Sequence, residues 1–185
     1  MIRSIKDYKE YLKEDRRRFP TPPRFIGFIL HTEKYFVWKQ IKNLRRLELL
    51  MNNRSNLFVR LLYYLQMVRY YRIMHKNQIY VYPNVFGPGL YIPHLGRILT
   101  PPHAKVGSNC TLRPGLLIVT NLSVSNRKKF QLEVGDNVEF SEGCKIICRK
   151  IGANVVIGPN AVVTRNVPDG MTVYAPLCEM MERNV

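Results

Sequence analysis

The sequence predicts a mainly β fold, a parallel β-helix of six-residue repeats, preceded by an α-helical N-terminal arm. From residue 86 onward apolar residues return every six positions, whereas before residue 80 they return at helical spacings of three and four. Glycine and asparagine, which tolerate positive φ, stand between the repeats in "VGSN", "VGDN" and "IGAN". These patterns divide the chain into an arm, residues 1–79, and a β-helix domain with a C-terminal extension, residues 80–185.

The arm is predicted to contain two or three basic helices. One runs from about Lys6 to Arg18 and ends before the prolines of "FPTPPRF", which lack the N–H that a helix needs. Between residues 33 and 76 the apolar spacing of "YFVWKQIKNLRRLELLMNN" and "NLFVRLLYYLQMVRYYRIMHK" predicts two further helices. Asn52, Asn53 and Ser55 mark the turn between them.

The repeat predicts which side chains point into the β-helix. Each hexapeptide contributes a short strand to one of three flat faces, and the narrow interior accepts small or branched apolar side chains. A polar segment, "TNLSVSNRKKFQ", and a one-residue slip interrupt the spacing. A sandwich or barrel of short strands is the alternative, but it would show period-two alternation and strands spaced roughly 8 to 12 residues apart. The predicted inward residues are Phe86, Ile92, Ile98, Ala104, Cys110, Leu116, Val134, Phe140, Ile146, Ile151, Ile157 and Val163.

Composition predicts a folded protein of a reducing compartment. The chain has 185 residues, 46% of them hydrophobic and 23% charged, which argues against disorder. Its four cysteines form no C-x-x-C pair and no zinc-finger spacing, so neither a disulfide scaffold nor a metal site is indicated. The beginning of the chain lacks the apolar core of a signal peptide, and Arg60 and Arg69 interrupt the longest apolar run. We therefore expect a cytoplasmic protein that does not cross a membrane.

Several segments between residues 80 and about 180 resemble the hexapeptide-repeat acyltransferases, whose fold is a left-handed parallel β-helix: "VFGPGLYIPHLGRI", "AKVGSNCTL", "LEVGDNV" and "IGANVVIGPNAVVTRNVPDGMTVYAP". Within that superfamily the sequence is most similar to serine acetyltransferases. In particular it resembles the shorter serine acetyltransferase-like proteins of bacterial surface-polysaccharide contexts, which have a helical N-terminal arm. The resemblance implies a homotrimer that uses acetyl-CoA as co-substrate and acetylates the hydroxyl of a small acceptor, serine or a sugar.

The resemblance implies that His94 is the catalytic base. His94 follows Gly87 by seven residues, the spacing of the family's catalytic histidine, and an imidazole can accept a hydroxyl proton near neutral pH. The alternative is a solvated surface histidine without a task. The other three histidines, His31, His75 and His103, are predicted to be structural or solvated.

Two departures from serine acetyltransferases bear on the acceptor. Those enzymes carry an aspartate immediately before the catalytic histidine and another where the first coil begins, which suits an amino acid's ammonium group. Pro93 and Tyr80 stand at these places here, and the family's second histidine has no counterpart. We still expect a mechanism with a single histidine, because the related xenobiotic and sugar acetyltransferases resemble enzymes that work with one. The acceptor stays open between serine and a sugar.

The same resemblance implies a set of cofactor-binding residues. "AVVTRNVP" resembles the "AVVTKDVP" of sugar acetyltransferases and would bring Thr164 and Arg165 to the nucleotide end of acetyl-CoA. Ser141 and Gly158 match coil positions whose backbone lines the pantetheine channel. The basic loop adds two residues expected near the phosphates, although "NRKK" is equally typical of a solvated charge cluster. These residues are Lys128 and Lys129.

Two other function classes stay open. A non-catalytic β-helix, acting as a scaffold or regulatory subunit in surface-polysaccharide synthesis, is compatible with the missing aspartates. A surface binder is suggested by the net charge of +16, since 18 basic but only 6 acidic residues lie in residues 1–80. No nucleic-acid-binding motif is present, so we expect no nucleic-acid partner, whereas basic amphipathic helices are compatible with contact to a membrane surface.

Overall fold

A computed structural model describes residues 1–19, 26–120 and 131–176 of the chain. Four helices begin the described part: α1 (Ile5–Arg17), α2 (Ile26–Ile29), α3 (Glu33–Asn52) and α4 (Leu57–Asn77). The hydroxyl of Ser4 accepts a hydrogen bond from the Asp7 amide and starts α1, while the side chain of Asn56 accepts from the Val59 amide and starts α4. The predicted helices and the turn between α3 and α4 are confirmed.

Twelve strands of two residues each follow the helices. They are β1 (Ile79–Tyr80), β2 (Ile98–Leu99), β3 (Lys105–Val106), β4 (Thr111–Leu112), β5 (Leu117–Ile118), β6 (Glu133–Val134), β7 (Glu139–Phe140), β8 (Lys145–Ile146), β9 (Lys150–Ile151), β10 (Val156–Ile157), β11 (Val162–Val163) and β12 (Thr172–Val173). Every pairing between them is parallel.

The strands form three flat faces of a prism. The five-stranded face has the order β1-β2-β5-β8-β11, the four-stranded face β4-β7-β10-β12, and the three-stranded face β3-β6-β9. The chain visits the three-stranded, four-stranded and five-stranded faces in turn, and pairs each strand with its counterpart one coil later. This arrangement confirms the predicted left-handed parallel β-helix with a helical arm before it.

All twelve residues predicted to point inward are buried. Counting by six nevertheless joined two different rows of inward residues. Val106 pairs in register with Val134, so Ala104 lies two residues before the position that corresponds to Val134. Both rows are apolar because each repeat places two side chains, two residues apart in sequence, in the interior; Ala104 and Val106, and Cys110 and Leu112, are such pairs.

A buried ionic cluster attaches the arm to the first coil. The guanidinium of Arg45 on α3 lies 2.8 Å from a carboxylate oxygen of Asp15 on α1 and 3.0 Å from one of Glu48. The side chains of Arg45 and Asp15 are fully buried and that of Glu48 nearly so. Arg45 also donates to the carbonyl oxygens of Phe86 and Gly87, at 2.9 and 2.7 Å. Both backbone acceptors belong to the first coil.

Burial and the neighbouring charges shift the pKa values of this cluster in opposite directions. Burial lowers the pKa of Arg45, but the two carboxylates outweigh it, so its pKa is raised and the guanidinium stays charged. Burial raises the pKa of Glu48, because it disfavours the charged carboxylate, although Arg45 and the Asn84 amide oppose that effect. The carboxylate of Asp15 accepts from the Gly89 and Leu90 amides. Residues of α1 and α3 therefore hold the backbone of the first coil.

The change from helix to strand falls at Gln78, between α4 and β1. One continuous apolar core joins residues of both parts, including Trp38 and Tyr70 of the arm and Ile79 and Phe86 of the coils. The division of the chain into two domains at residues 79 and 80 stays a prediction. Among the described residues, no helix is long and apolar enough to cross a membrane.

Candidate active site

One corner of the prism collects three of the predicted site residues. This corner, here named the His94 corner, follows the four-stranded face and leads to the five-stranded face. Tyr91 pairs with Thr111, Thr111 with Glu139, and Glu139 with Val156. This register stacks the segments that follow these residues coil upon coil. His94, Ser141 and Gly158 lie in those stacked segments.

His94 is exposed and contacts a carboxylate. Its Nδ1 lies 3.0 Å from an Oε atom of Glu33, the first residue of α3, and the two side chains are 59% and 52% exposed. A carboxylate that accepts from Nδ1–H leaves Nε2 with its lone pair, the form in which an imidazole accepts a proton. Glu33 was missed by the sequence analysis because it lies 61 residues from His94, in a different element.

The next two coils place charged side chains beside His94. Arg113 lies 2.8 Å from Glu139 and 3.2 Å from Glu142, and these carboxylates raise its pKa against the effect of its partial burial. The Glu142 carboxylate accepts from its own backbone N–H, and Arg113 adds a hydrogen bond and positive charge, so the pKa of Glu142 is below its usual range. The His94 corner is therefore polar and carries both signs of charge.

Ser141 and Gly158 are buried, and their backbone donors are engaged. The Ser141 amide donates to the Ile157 carbonyl at 2.9 Å, and the Gly158 amide to the Val173 carbonyl at 2.8 Å. A Cβ on Gly158 would lie 2.9 Å from the Val173 oxygen, so the packing of the last coil accounts for glycine at this position. A role of these two residues in lining the pantetheine channel stays a prediction.

Thr164 and Arg165 lie on a different corner, here named the Arg165 corner. Along the chain, the Arg165 corner follows the five-stranded face and the His94 corner precedes it. Within one chain, the width of that face therefore separates Thr164 and Arg165 from His94. Thr164, Arg165, Asn166 and Met171 line an open pocket of about 320 Å³ there. Lys128 and Lys129 lie outside the described residues.

Tyr80, one of the two residues that stand where an aspartate was expected, contacts a histidine instead. The Tyr80 hydroxyl lies 3.2 Å from Nδ1 of His75, which gives that histidine a structural contact. Tyr80 also lines a shallow pocket of about 270 Å³ with Gln78, Arg97 and Leu99. His31 and His103 are exposed, as expected. No group of three or more histidine, cysteine or acidic residues that could hold a metal occurs in the described parts of the chain.

Comparisons with known proteins point to serine acetyltransferases. No family model matches the chain. Over 88 residues the chain is 33% identical to a serine acetyltransferase of Staphylococcus xylosus. The matched segment covers 47% of this chain and 40% of that relative. The chain thus spans about two fifths of the length of the curated relative that it matches.

Solved structures of serine acetyltransferases share the fold. The soybean apoenzyme superposes with a TM-score of 0.69 at 21% identity, covering 92% of this chain and 68% of that one. The soybean enzyme in complex with serine gives a TM-score of 0.64 at 20% identity, covering 92% of this chain and 67% of that one. A serine acetyltransferase in complex with CoA gives a TM-score of 0.61 at 18% identity, covering 91% of this chain and 65% of that one. The resemblance predicted from the sequence is confirmed at the level of the fold, which is that of serine acetyltransferases.

Proposed function

We propose that this chain is an acetyl-CoA-dependent O-acetyltransferase of the serine acetyltransferase-like type, which acetylates the hydroxyl of serine or of a sugar. The observation that carries this proposal is the exposed His94, paired with Glu33 on a β-helix of the serine acetyltransferase fold. The solved relatives that bind serine and CoA support it. Three of the cysteines are buried free thiols, which supports a reducing location such as the cytoplasm.

His94 would act as the general base. Its Nε2 accepts the proton of the acceptor hydroxyl, while the Glu33 carboxylate keeps the other proton on Nδ1 and stabilises the imidazolium that forms. Acetyl-CoA, when bound, supplies the acetyl group as an activated thioester. The acceptor oxygen would form the new ester bond as the C–S bond breaks, and the departing CoA thiolate would take the proton back from Nε2. A general base of this kind contributes roughly 10²- to 10⁴-fold to the rate.

Arg165 fits the polyanionic end of acetyl-CoA. It is exposed at the edge of an open pocket and forms no ion pair with the parts of the chain that the structure describes, so its guanidinium is available to a phosphate. Thr120 and Gln131, which bound the segment that contains Lys128 and Lys129, follow the five-stranded face as Arg165 does. Their place in the chain supports the prediction that these lysines assist Arg165.

A homotrimer would unite the two corners. The outward side chains of the five-stranded face are mostly apolar: Tyr80, Leu99, Leu117 and Val162, with Lys145. The three-stranded face instead presents Lys105, Glu133 and Lys150. If three copies turn their five-stranded faces to a threefold axis, the His94 corner of each copy meets the Arg165 corner of the next. The shared site would then lie between subunits.

Thiol release from acetyl-CoA in the presence of serine or of a panel of sugars tests this function. His94→Ala should lower turnover by roughly 10²- to 10⁴-fold and leave CoA binding unchanged, whereas His103→Ala, at another exposed histidine, should be near wild type. Arg165→Ala should mainly raise the KM for acetyl-CoA. Full activity of His94→Ala would exclude His94 as the general base. No acetylated acceptor in any assay would favour the non-catalytic scaffold, which the missing family aspartates at Pro93 and Tyr80 also suit.

Light scattering tests the assembly. A trimeric mass supports the shared site, and a monomer at micromolar concentration counts against it. Val162→Glu, at an outward position of the five-stranded face that is 55% exposed in one chain, should shift the mass towards the monomer. Lys105→Glu, on the three-stranded face, should leave the mass of the assembly unchanged.

A further inference from the structure

The outer side of α4 is apolar although it faces solvent. Five of its aliphatic and phenylalanine side chains are at least 48% exposed: Leu57 (81%), Phe58 (69%), Leu61 (56%), Leu65 (61%) and Val68 (48%). They fall within an arc of roughly 100° when α4 is viewed along its axis at 3.6 residues per turn. We name these five residues the α4 stripe.

The inner side of the same helix contains polar groups beside two apolar side chains that are buried in the core. Gln66 and Asn77 are buried, and their side-chain amides donate to Asn43 and Gln40 of α3. A surface helix of a globular protein normally turns its apolar side towards the core and its polar side towards water, whereas the outer side of α4 is apolar. The α4 stripe is therefore not explained by packing against the residues that the structure describes.

Three arginines lie at the edges and end of the α4 stripe, and α4 itself contributes no carboxylate. Arg60 and Arg69 lie on either side of it and Arg72 lies at its C-terminal end, all three exposed. Helix α4 contains no aspartate or glutamate, and between residues 19 and 80 the only acidic residues are Glu33 and the buried Glu48. The helix thus combines exposed apolar side chains with positive charge alone.

We propose that the α4 stripe docks on the surface of an anionic lipid bilayer. The helix lies in the plane of the surface, its apolar side chains enter the boundary between headgroups and acyl chains, and the three arginines bind lipid phosphates. These charges fit an interfacial helix and not a spanning one. The inference is independent of the proposed acetyl transfer, because the α4 stripe contains none of the residues of that site.

Charge disfavours a second copy as the occupant of the same surface. A twofold contact between two α4 stripes would bring Arg60, Arg69 and Arg72 of both copies together without a carboxylate from either helix. Anionic headgroups supply the opposite charge. A membrane surface therefore matches both properties of the stripe, its apolar area and its sign of charge.

Co-sedimentation of the full chain with lipid vesicles tests the proposal. We expect binding to vesicles of phosphatidylserine and phosphatidylcholine, weakened by high salt, and little binding to phosphatidylcholine alone. The double variants Leu61→Gln/Leu65→Gln and Arg69→Glu/Arg72→Glu should each lose at least about tenfold in affinity for the anionic vesicles. Lys9→Glu/Lys13→Glu on α1 changes the net charge equally, away from the α4 stripe, and should keep most of the binding.

Three outcomes would overturn the proposal. Wild type that does not bind anionic vesicles excludes the membrane as occupant. An equal loss in the α1 control shows that net charge alone attracts the chain. A smaller assembly of Leu61→Gln/Leu65→Gln in light scattering, together with unchanged vesicle binding, shows that a second copy covers the α4 stripe. Far-ultraviolet circular dichroism identifies variants that fail to fold, and thiol release in solution reports separately on the acetyltransferase proposal.

Discussion

Replacing Arg45 by methionine should destabilise the protein severely, because the change leaves two carboxylates buried without their cation. Asp15 and Glu48 are 0% and 1% exposed, and Arg45 is the only cation that the described residues place in contact with them. Methionine fills a similar volume but cannot donate to the carbonyls of Phe86 and Gly87. Breaking a buried ion pair by removing one partner costs about 3–5 kcal/mol, a large part of the roughly 5–15 kcal/mol by which domains are stable.

The pH dependence of the stability lost in Arg45→Met identifies the cause of that loss. Burial already raises the pKa of Glu48, and Arg45 opposes that shift, so removing Arg45 raises the pKa of Glu48 further above its value in the unfolded chain. A raised pKa favours the folded state at low pH, and that advantage is lost as the pH rises through it. The free-energy difference between wild type and Arg45→Met should therefore be smaller at pH 5 than at pH 7.

Urea unfolding followed by fluorescence is a suitable assay, since the chain has one tryptophan, the buried Trp38. Arg46→Met is the matched control: its side chain is exposed on the same helix, and its effect should stay within about 0.5 kcal/mol. If Arg45→Met does not fold, Arg45→Lys, which keeps the charge but not the geometry, should fold with reduced stability. A loss below about 1 kcal/mol for Arg45→Met, or a loss independent of pH, would refute the argument.

Two further predictions concern the interior of the β-helix. Ile157→Asp should prevent folding because it puts an unpaired charge at a site with 0% exposure, whereas Val156→Asp, at the outward neighbour with 38% exposure, should give soluble protein with native circular dichroism. Burial raises the pKa of Cys110 to about 11 and that of Cys144 to about 12, so the folded state loses stability as the pH rises above the thiols' ordinary value. The free energy of unfolding in urea should fall between pH 8 and pH 10, and Cys110→Ala/Cys144→Ala should weaken that decline; an identical decline in the double variant would contradict it.

The corners of the β-helix were predictable from the sequence because they depend on local backbone geometry. Asn109, Asn137 and Asn154, each in a segment read as a corner, have φ of 57°, 56° and 56°. Asparagine adopts this left-handed conformation more easily than most residues, so its place in the chain marks the turn. The period of six and the helical spacing of the arm are equally local, and both predicted the correct elements.

Only the tertiary structure decided how these elements meet. The contact of Glu33 with His94 joins residues 61 positions apart, and it depends on where the first residue of α3 lies against the first coil. No periodicity encodes that position, because it follows from the packing of α1 and α3 around Arg45. The structure also separated Arg165 from His94 on two corners. The repeat predicts which residues face inward, but the number of residues in each coil sets the corner at which a residue lies, and the slips and the long segment after β5 change that number.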